Sequence, residues 1–146
     1  MLPLLALLTT GAVSNARADQ FTIFIYETPS AFAARTDQAK SASYWGAYNG
    51  YAKTLMDAGI LRGGTALHAD ADARTVRVKN GKAWVKSGSN AKAPQALGGY
   101  FVIEAKDLKT ALQWAAKAPG AASGTIEVRP HYPNPTLKMA ALPAKK

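Results

Sequence analysis

The stretch that decides the fold is LGGYFVIE, residues 97–104. A glycine pair followed by aromatic and β-branched residues predicts a short, largely apolar strand. An amphipathic helix is predicted next, over residues 107–118, and a second strand over residues 125–130, TIEVRP. The residues that recur at helical spacing, and that we therefore expect to be buried, are Leu108, Ala111, Leu112 and Ala115. This strand–helix–strand block forms the second half of the predicted domain.

The first half has a similar plan. Residues 20–26 alternate and contain Phe and Ile, so they predict a strand, and residues 27–37 predict a loop with a helical turn. A helix is predicted from Ser41 or Ser43 to about Ala58, followed by Gly59 as a C-terminal glycine. Its apolar stripe is formed by Tyr44, Tyr48, Tyr51 and Leu55. Core packing is the favoured interpretation of this stripe, and a ligand-binding aromatic box is the alternative.

Between these halves the sequence predicts three further strands. Residues 60–68 read as an irregular strand, and residues 74–79 and 82–86 flank Asn80-Gly81, a strong hairpin signal because both residues tolerate positive φ. The predicted order is β-α-β-β-β-β-α-β. We therefore expect an α+β domain with two helices on one face of a mostly antiparallel sheet.

Composition narrows the class of protein. The 146 residues are 48% hydrophobic, which suits one compact domain. The absence of cysteine excludes disulfides, thiolate metal sites and a cysteine nucleophile. The net charge of +9 attracts anions, but the sequence contains no long basic run, so nucleic acid is not a predicted partner.

The N-terminus has the pattern of an export signal. An apolar run over residues 2–13 is followed by Ala16-Arg17-Ala18, a small-x-small cleavage site. We expect a signal peptide over residues 1–18 with cleavage after Ala18, and a periplasmic or secreted protein with no membrane span once the signal is removed. A buried N-terminal helix is the alternative. The domain is then expected over residues 19–132, and a flexible tail over residues 133–146.

Residues 21 to about 132 resemble the YCII-related proteins, and specifically their DGPF-domain branch. The resemblance is carried by FTIFIYE at 21–27, by 61–67 with TVRV at 75–78, by LGGYF at 97–101, and by LQWA at 112–115 with EVRP at 127–130. It implies a ferredoxin-like domain that pairs into a homodimeric α/β barrel.

The sequence departs from the branch at its signature. Asp-Gly-Pro-Phe should fall on residues 87–90, where this chain has Ser-Gly-Ser-Asn and matches only at Gly88. Lys92 stands where the family usually has Glu. The acidic residue that the resemblance would make functional is therefore missing, and the His-Asp pair suggested for the YCII branch is not placed on this chain. This departure favours binding over catalysis.

Strand alternation places several reactive side chains on the sheet face opposite the helices. Val76 and Val78 are expected on the helix side, together with Ile126 and Val128. The predicted ligand-binding residues on the opposite face are Tyr26, Arg77, Tyr100 and Arg129. The candidate acid–base residues there are Glu104, Glu127 and His131.

This face has two interpretations. The arginines would clamp a small carboxylate or enolate while the tyrosines donate hydrogen bonds. Alternatively, Glu127 with Arg77 and Glu104 with Arg129 form ion pairs at a dimer interface. His68, near Asp70 and Asp72, is interpreted as a turn histidine, and no metal site or cofactor is predicted.

Three hypotheses follow. The first is an exported domain that dimerises and binds a small anionic ligand in the sheet cleft. The second is a cofactor-independent lyase or isomerase acting in the same cleft. The third is a structural or partner-binding module whose cleft is filled.

Overall fold

The computed structural model describes residues 18–90 and 94–133. The predicted signal peptide up to Arg17, Lys92, and the predicted tail from Asn134 lie outside the described residues. The predicted cleavage, export and tail therefore stay predictions.

The described chain forms six strands and three α-helices, with two short 3-10 turns between them. Their bounds are β1 Asp19–Glu27, α1 Pro29–Ala34, α2 Ser41–Asp57, β2 Leu61–Ala66, β3 Arg74–Lys79, β4 Lys82–Ser87, β5 Ala96–Ala105, α3 Leu108–Ala115 and β6 Thr125–Pro130. The one helix not predicted as such is α1, which occupies the predicted loop with a helical turn. It begins where the Thr28 hydroxyl accepts a hydrogen bond from the Ala31 amide, and Pro29 suits its first position.

Four strands form one antiparallel sheet in the order β2-β5-β1-β6. Strands β1 and β5 are central and pair over most of their length, with β2 and β6 at the edges. This arrangement confirms the predicted α+β, ferredoxin-like domain. The dimeric barrel remains a prediction.

Strands β3 and β4 form a separate two-stranded sheet. Its turn is the predicted one, with Asn80 at φ 51° and Gly81 at φ 72°. The prediction that Val76 and Val78 face the helices is wrong, because the hairpin does not join the main sheet. Their side chains are 59% and 68% exposed.

The core lies between one face of the main sheet and helices α2 and α3. Ile23, Leu55 and Ile103 are fully buried at its centre, and Tyr51 reaches across it to donate a hydrogen bond to the Trp114 carbonyl at 3.0 Å. Ile126 and Val128 pack against this core, as predicted.

The buried face of α3 is narrower than predicted. Ala111 and Ala115 are buried, whereas Leu108 and Leu112 are 44% and 50% exposed. Small alanine side chains let the helix approach the sheet closely, and the leucines then lie on its open side. Among the described residues, no helix is both long and apolar enough to cross a membrane.

Candidate functional site

The most unusual side chain of the core is Glu27, at the end of β1. Odd-numbered residues of this strand point inward, so Glu27 continues the row that contains Phe21, Ile23 and Ile25. It is only 1% exposed. A carboxylate at such a position is costly unless it is paired and hydrogen-bonded, so its partners define a candidate site.

Arg35 is the ionic partner of Glu27. It follows α1, and its guanidinium donates to the Glu27 carboxylate, to the Leu67 carbonyl at 2.6 Å and to the Gly98 carbonyl at 2.8 Å. Its Nε also donates to the Tyr44 hydroxyl at 2.9 Å. Helix α1 therefore has a positioning role, because it places this guanidinium over the end of β1 and the beginning of β5.

Two tyrosines of α2 complete the network. The hydroxyls of Tyr44 and Tyr48 donate to Glu27 Oε1 at 2.7 and 3.0 Å. Burial, reinforced by the hydrogen bond to Glu27, raises the pKa of Tyr44 to about 12. Burial and the nearby Glu27 charge also raise the pKa of Tyr48. Both hydroxyls therefore stay protonated at neutral pH and act as donors.

The network is complete within the described part of the chain, where every buried side-chain nitrogen and oxygen has a hydrogen-bond partner. Removing one member of a buried ion pair leaves an uncompensated charge and costs about 3–5 kcal/mol in known cases. Glu27 and Arg35 thus hold α1, α2 and β5 together around one neutralised centre.

Gly98, the first glycine of the fold-defining pair, is what makes room for this centre. A Cβ atom on Gly98 would overlap the Glu27 carboxylate and lie 2.6 Å from Arg35 Nη2. The register also shifts here, because Ile25 pairs with Gly99 and Tyr26 with Leu97, which leaves Gly98 as an extra residue in β5. The glycine pair is therefore a site feature as well as a marker of the fold.

A cavity of about 170 Å³ lies beside the ion pair, between α2 and the β2–β5 edge of the sheet. Its apolar lining includes Ile25, Ala52 and Phe101. Glycines on β2 and β5 contribute no side chain, which leaves the space open. The polar side chains that line it, besides Glu27 and Arg35, include Tyr48 and the solvent-exposed Asn49.

The predicted site residues Tyr26, Tyr100, Glu104, Glu127 and Arg129 lie on the opposite, outward face of the main sheet. The burial alternation of β1 and the cross-strand register place them there. On this face Glu127 accepts a hydrogen bond from Arg129, two residues further along β6. Five of the seven predicted residues thus lie in adjacent rows of one surface: Tyr26, Tyr100, Glu104, Glu127 and Arg129.

Within one protomer the carboxylates of this face have other partners than those predicted for ion pairs at a dimer interface, which stay a prediction. Glu104 pairs with Arg62 at 2.5 Å, not with Arg129, because a bulge at Arg62 turns that side chain toward β5. Arg77 lies on the separate hairpin, where it donates to the Asn90 side chain at 3.1 Å. It therefore does not share a face with Glu127.

The two histidines have different partners. His131 Nε2 lies 2.7 Å from the Thr22 hydroxyl on the outward face, at the end of the predicted row. His68 is an exposed turn residue whose Nδ1 lies 3.3 Å from Asp72. Within the described ranges, no group of three or more His, Asp or Glu side chains is placed to hold a metal ion.

The outward carboxylates are poor bases at neutral pH. The hydrogen bond from Arg62 lowers the pKa of Glu104, and the hydrogen bond from Arg129 lowers the pKa of Glu127. Burial and the Glu127 charge raise the pKa of Tyr26, so that this phenol also stays protonated. The two carboxylates and the Tyr26 phenol can therefore accept and donate hydrogen bonds, but their pKa values are shifted away from neutrality.

The fold agrees with a comparison against known families. The model for the YCII-related domain matches residues 20–133, which is most of the chain. The chain belongs to the YCII-related domain family. No curated protein matches it significantly. The matched residues include every strand and helix described above, except the first residue of β1. The altered DGPF signature stays a prediction.

Sequence reasoning missed Glu27 and Arg35. A signal for Glu27 was present, because the strict alternation of β1 puts residue 27 on the core side. No comparable signal exists for Arg35, because it contacts Glu27 only as a result of where α1 places it in the fold. The stripe of tyrosines was interpreted as core packing, and this holds for Tyr51, while Tyr44 and Tyr48 instead bind the buried carboxylate.

Proposed function

We propose that this YCII-related domain binds a small uncharged molecule in the cavity beside Glu27 and Arg35. The observation that carries the proposal is the cavity itself, about 170 Å³ with a largely apolar lining. An engineered apolar cavity of about 150 Å³ in another protein binds benzene, so a ligand of roughly that size fits.

The lining favours an uncharged ligand. Glu27 and Arg35 neutralise each other, and the guanidinium is already bonded to two main-chain carbonyls. A charged ligand would lose its hydration without meeting an unpaired counter-ion. The Tyr48 hydroxyl gives its hydrogen to Glu27 and keeps lone pairs free to accept, which suits a ligand with a hydroxyl donor.

Binding is favoured over catalysis by the state of two buried tyrosines and two outward carboxylates. Tyr44 and Tyr48 are held in the protonated form, and the outward carboxylates are hydrogen-bonded by arginines. None of these four groups is a base with a pKa near neutrality, which a lyase or isomerase would need. The predicted anionic ligand on the outward face stays a prediction that the experiment below also tests.

The proposed assembly is a homodimer formed through the outward face. Phe24 and Tyr100 are paired neighbours at its half-buried centre, with Val102 in the next row. The ion pairs Arg62–Glu104 and Glu127–Arg129 lie to either side. A partly apolar centre with charged flanks resembles the core and rim of a protein interface. We also propose export with cleavage after Ala18, which the mass of the mature chain tests.

The cavity is tested by a thermal-shift screen with phenol, benzyl alcohol and benzoate. We expect the two uncharged probes to raise the melting temperature and benzoate to have little effect. Ala52→Leu fills the cavity and should abolish the shift. Ala47→Leu, on an exposed part of the same helix, is the matched control and should keep it. A stronger effect of benzoate that survives Ala52→Leu would contradict the proposal and favour an anion site elsewhere.

A further inference from the structure

The β3–β4 hairpin has two chemically different faces. The register pairs Val76 with Val85 and Val78 with Ala83, so these four side chains share one face. Arg77 pairs with Trp84 on the other face, between the pairs Thr75–Lys86 and Lys79–Lys82. The hairpin is therefore amphipathic, with an aliphatic face and a basic face that has an indole at its centre.

Charge is concentrated in this hairpin. Residues 74–87 contain Arg74, Arg77, Lys79, Lys82 and Lys86 and no acidic residue, a net +5 against +9 for the whole chain. Strand alternation then gathers four of the five cations on one face. The sequence does not show this as a basic run, because apolar residues separate the cations along the chain.

The aliphatic face is open to solvent, and residues 88–90 contact the basic face through hydrogen bonds with Thr75 and Arg77. Every residue of β4 is exposed, and the exposed fractions of Val78, Trp84 and Val85 are 68%, 61% and 67%. Among the described strands, β3 and β4 pair only with each other. Three exposed valines on one face of an isolated hairpin form a surface that water solvates poorly.

We propose that this hairpin docks on the surface of a lipid bilayer that contains anionic lipids. The valine face enters the boundary between head groups and acyl chains. The lysine and arginine side chains, with their long apolar stems, extend back to the lipid phosphates. Trp84 has the amphipathic ring that is enriched at membrane–water boundaries. Charge complementarity with phosphate-bearing lipids strengthens the binding through each nearby cation.

Two other binding partners would account for only one of the two faces of the hairpin. A soluble polyanion would be bound by the basic face alone and would leave the three valines in water. A second copy would cover the valines, but it would bring another hairpin of charge +5 against the first. An anionic bilayer accounts for both faces together. This inference does not depend on the cavity or on its ligand.

The test is co-sedimentation of the mature chain with vesicles of phosphatidylcholine, with and without phosphatidylglycerol. We expect binding only with phosphatidylglycerol, weakened by added salt, together with a blue shift of tryptophan emission that Trp84→Phe removes. Two variants separate the faces. Val78→Thr with Val85→Thr keeps β-branched side chains, and Lys82→Gln with Lys86→Gln removes charge; each should reduce vesicle affinity at least tenfold.

Lys106→Gln with Lys109→Gln removes the same charge outside the hairpin and is the matched control, expected to bind nearly as well as the parent chain. Absence of binding, or binding that neither hairpin variant changes, would overturn the proposal. So would binding to dextran sulfate as strong as to the vesicles and unaffected by the valine changes, which would assign the basic face to a soluble polyanion. A shift from dimer to monomer caused only by the valine changes would assign the face to a second copy.

Discussion

At the scale of single residues, the site depends on Gly98, which has no side chain, and on Glu27, a charged residue inside the core. Gly98 gives the Glu27–Arg35 pair its space, and Glu27 can occupy an inward strand position only because Arg35 and two tyrosines surround it. Alternation predicts the direction of Glu27, but its partners come from elements far apart in the sequence. The sequence therefore indicated that the glycine pair is important, but not that Gly98 makes room for the Glu27–Arg35 ion pair.

The role of Gly98 can be tested by Gly98→Ala. The added methyl group would overlap the Glu27 carboxylate, so we expect a loss of about 1–3 kcal/mol in the free energy of unfolding. Gly46→Ala in α2 is the control, because a Cβ there meets nothing within 4 Å. It should stabilise the protein by about 0.5–1 kcal/mol, since alanine suits a helix interior better than glycine. Urea unfolding of both variants measures the sign of each change in the free energy of unfolding. An unchanged free energy of unfolding in Gly98→Ala would contradict the packing around Glu27.

The buried tyrosines predict a loss of stability at high pH. Burial raises the pKa of Tyr44 and of Tyr51 to about 12, above the ordinary 10.0, so the unfolded chain releases these protons first. Their contribution to stability is thus complete below pH 10 and falls as the pH rises toward 12. Absorbance of tyrosinate should show a late fraction that ionises together with loss of circular dichroism. Ionisation of all tyrosines before any unfolding would contradict the buried network.

At the scale of elements, local patterns predicted most of what the structure contains. Helix α2, the Asn80-Gly81 hairpin and strands β1, β5 and β6 were predicted near their observed positions, because helical periodicity, alternation and turn chemistry are local signals. The separation of β3 and β4 from the main sheet was not predicted. Which strands pair is decided by packing over long distances in the chain, and an alternating strand looks alike in either sheet.

Two substitutions in α3 test which of its side chains lie in the core. Ala111 is fully buried and Leu112 is half exposed. Ala111→Leu should therefore cost about 1–3 kcal/mol through overpacking against the sheet. Leu112→Ala should cost about 1 kcal/mol or less, since about half of the leucine side chain is already in water. Thermal and urea unfolding distinguish this from the broader buried face that the leucine spacing predicted, for which Leu112→Ala would be the more damaging change.

At the scale of the whole molecule, the sheet separates the two surfaces on which we propose ligand binding and dimerisation. Its inner face carries the core and the cavity, and its outward face carries the paired charges through which we propose dimerisation. The sequence predicted that chemistry would sit on the outward face, since the charged residues visible by alternation collect there. The cavity could not be predicted, because it arises where three glycines meet the side of α2.

The most direct test of the cavity is a nuclear magnetic resonance titration of the isotope-labelled chain with phenol. We expect amide shift changes centred on residues that line the cavity: Tyr48, Ala52, Gly64, Gly98 and Gly99. No changes of similar size are expected at Glu127 and Arg129. The changes at the cavity should disappear in Ala52→Leu. Shifts centred instead on Glu127 and Arg129 would place the ligand on the outward face and contradict the proposed binding in the cavity.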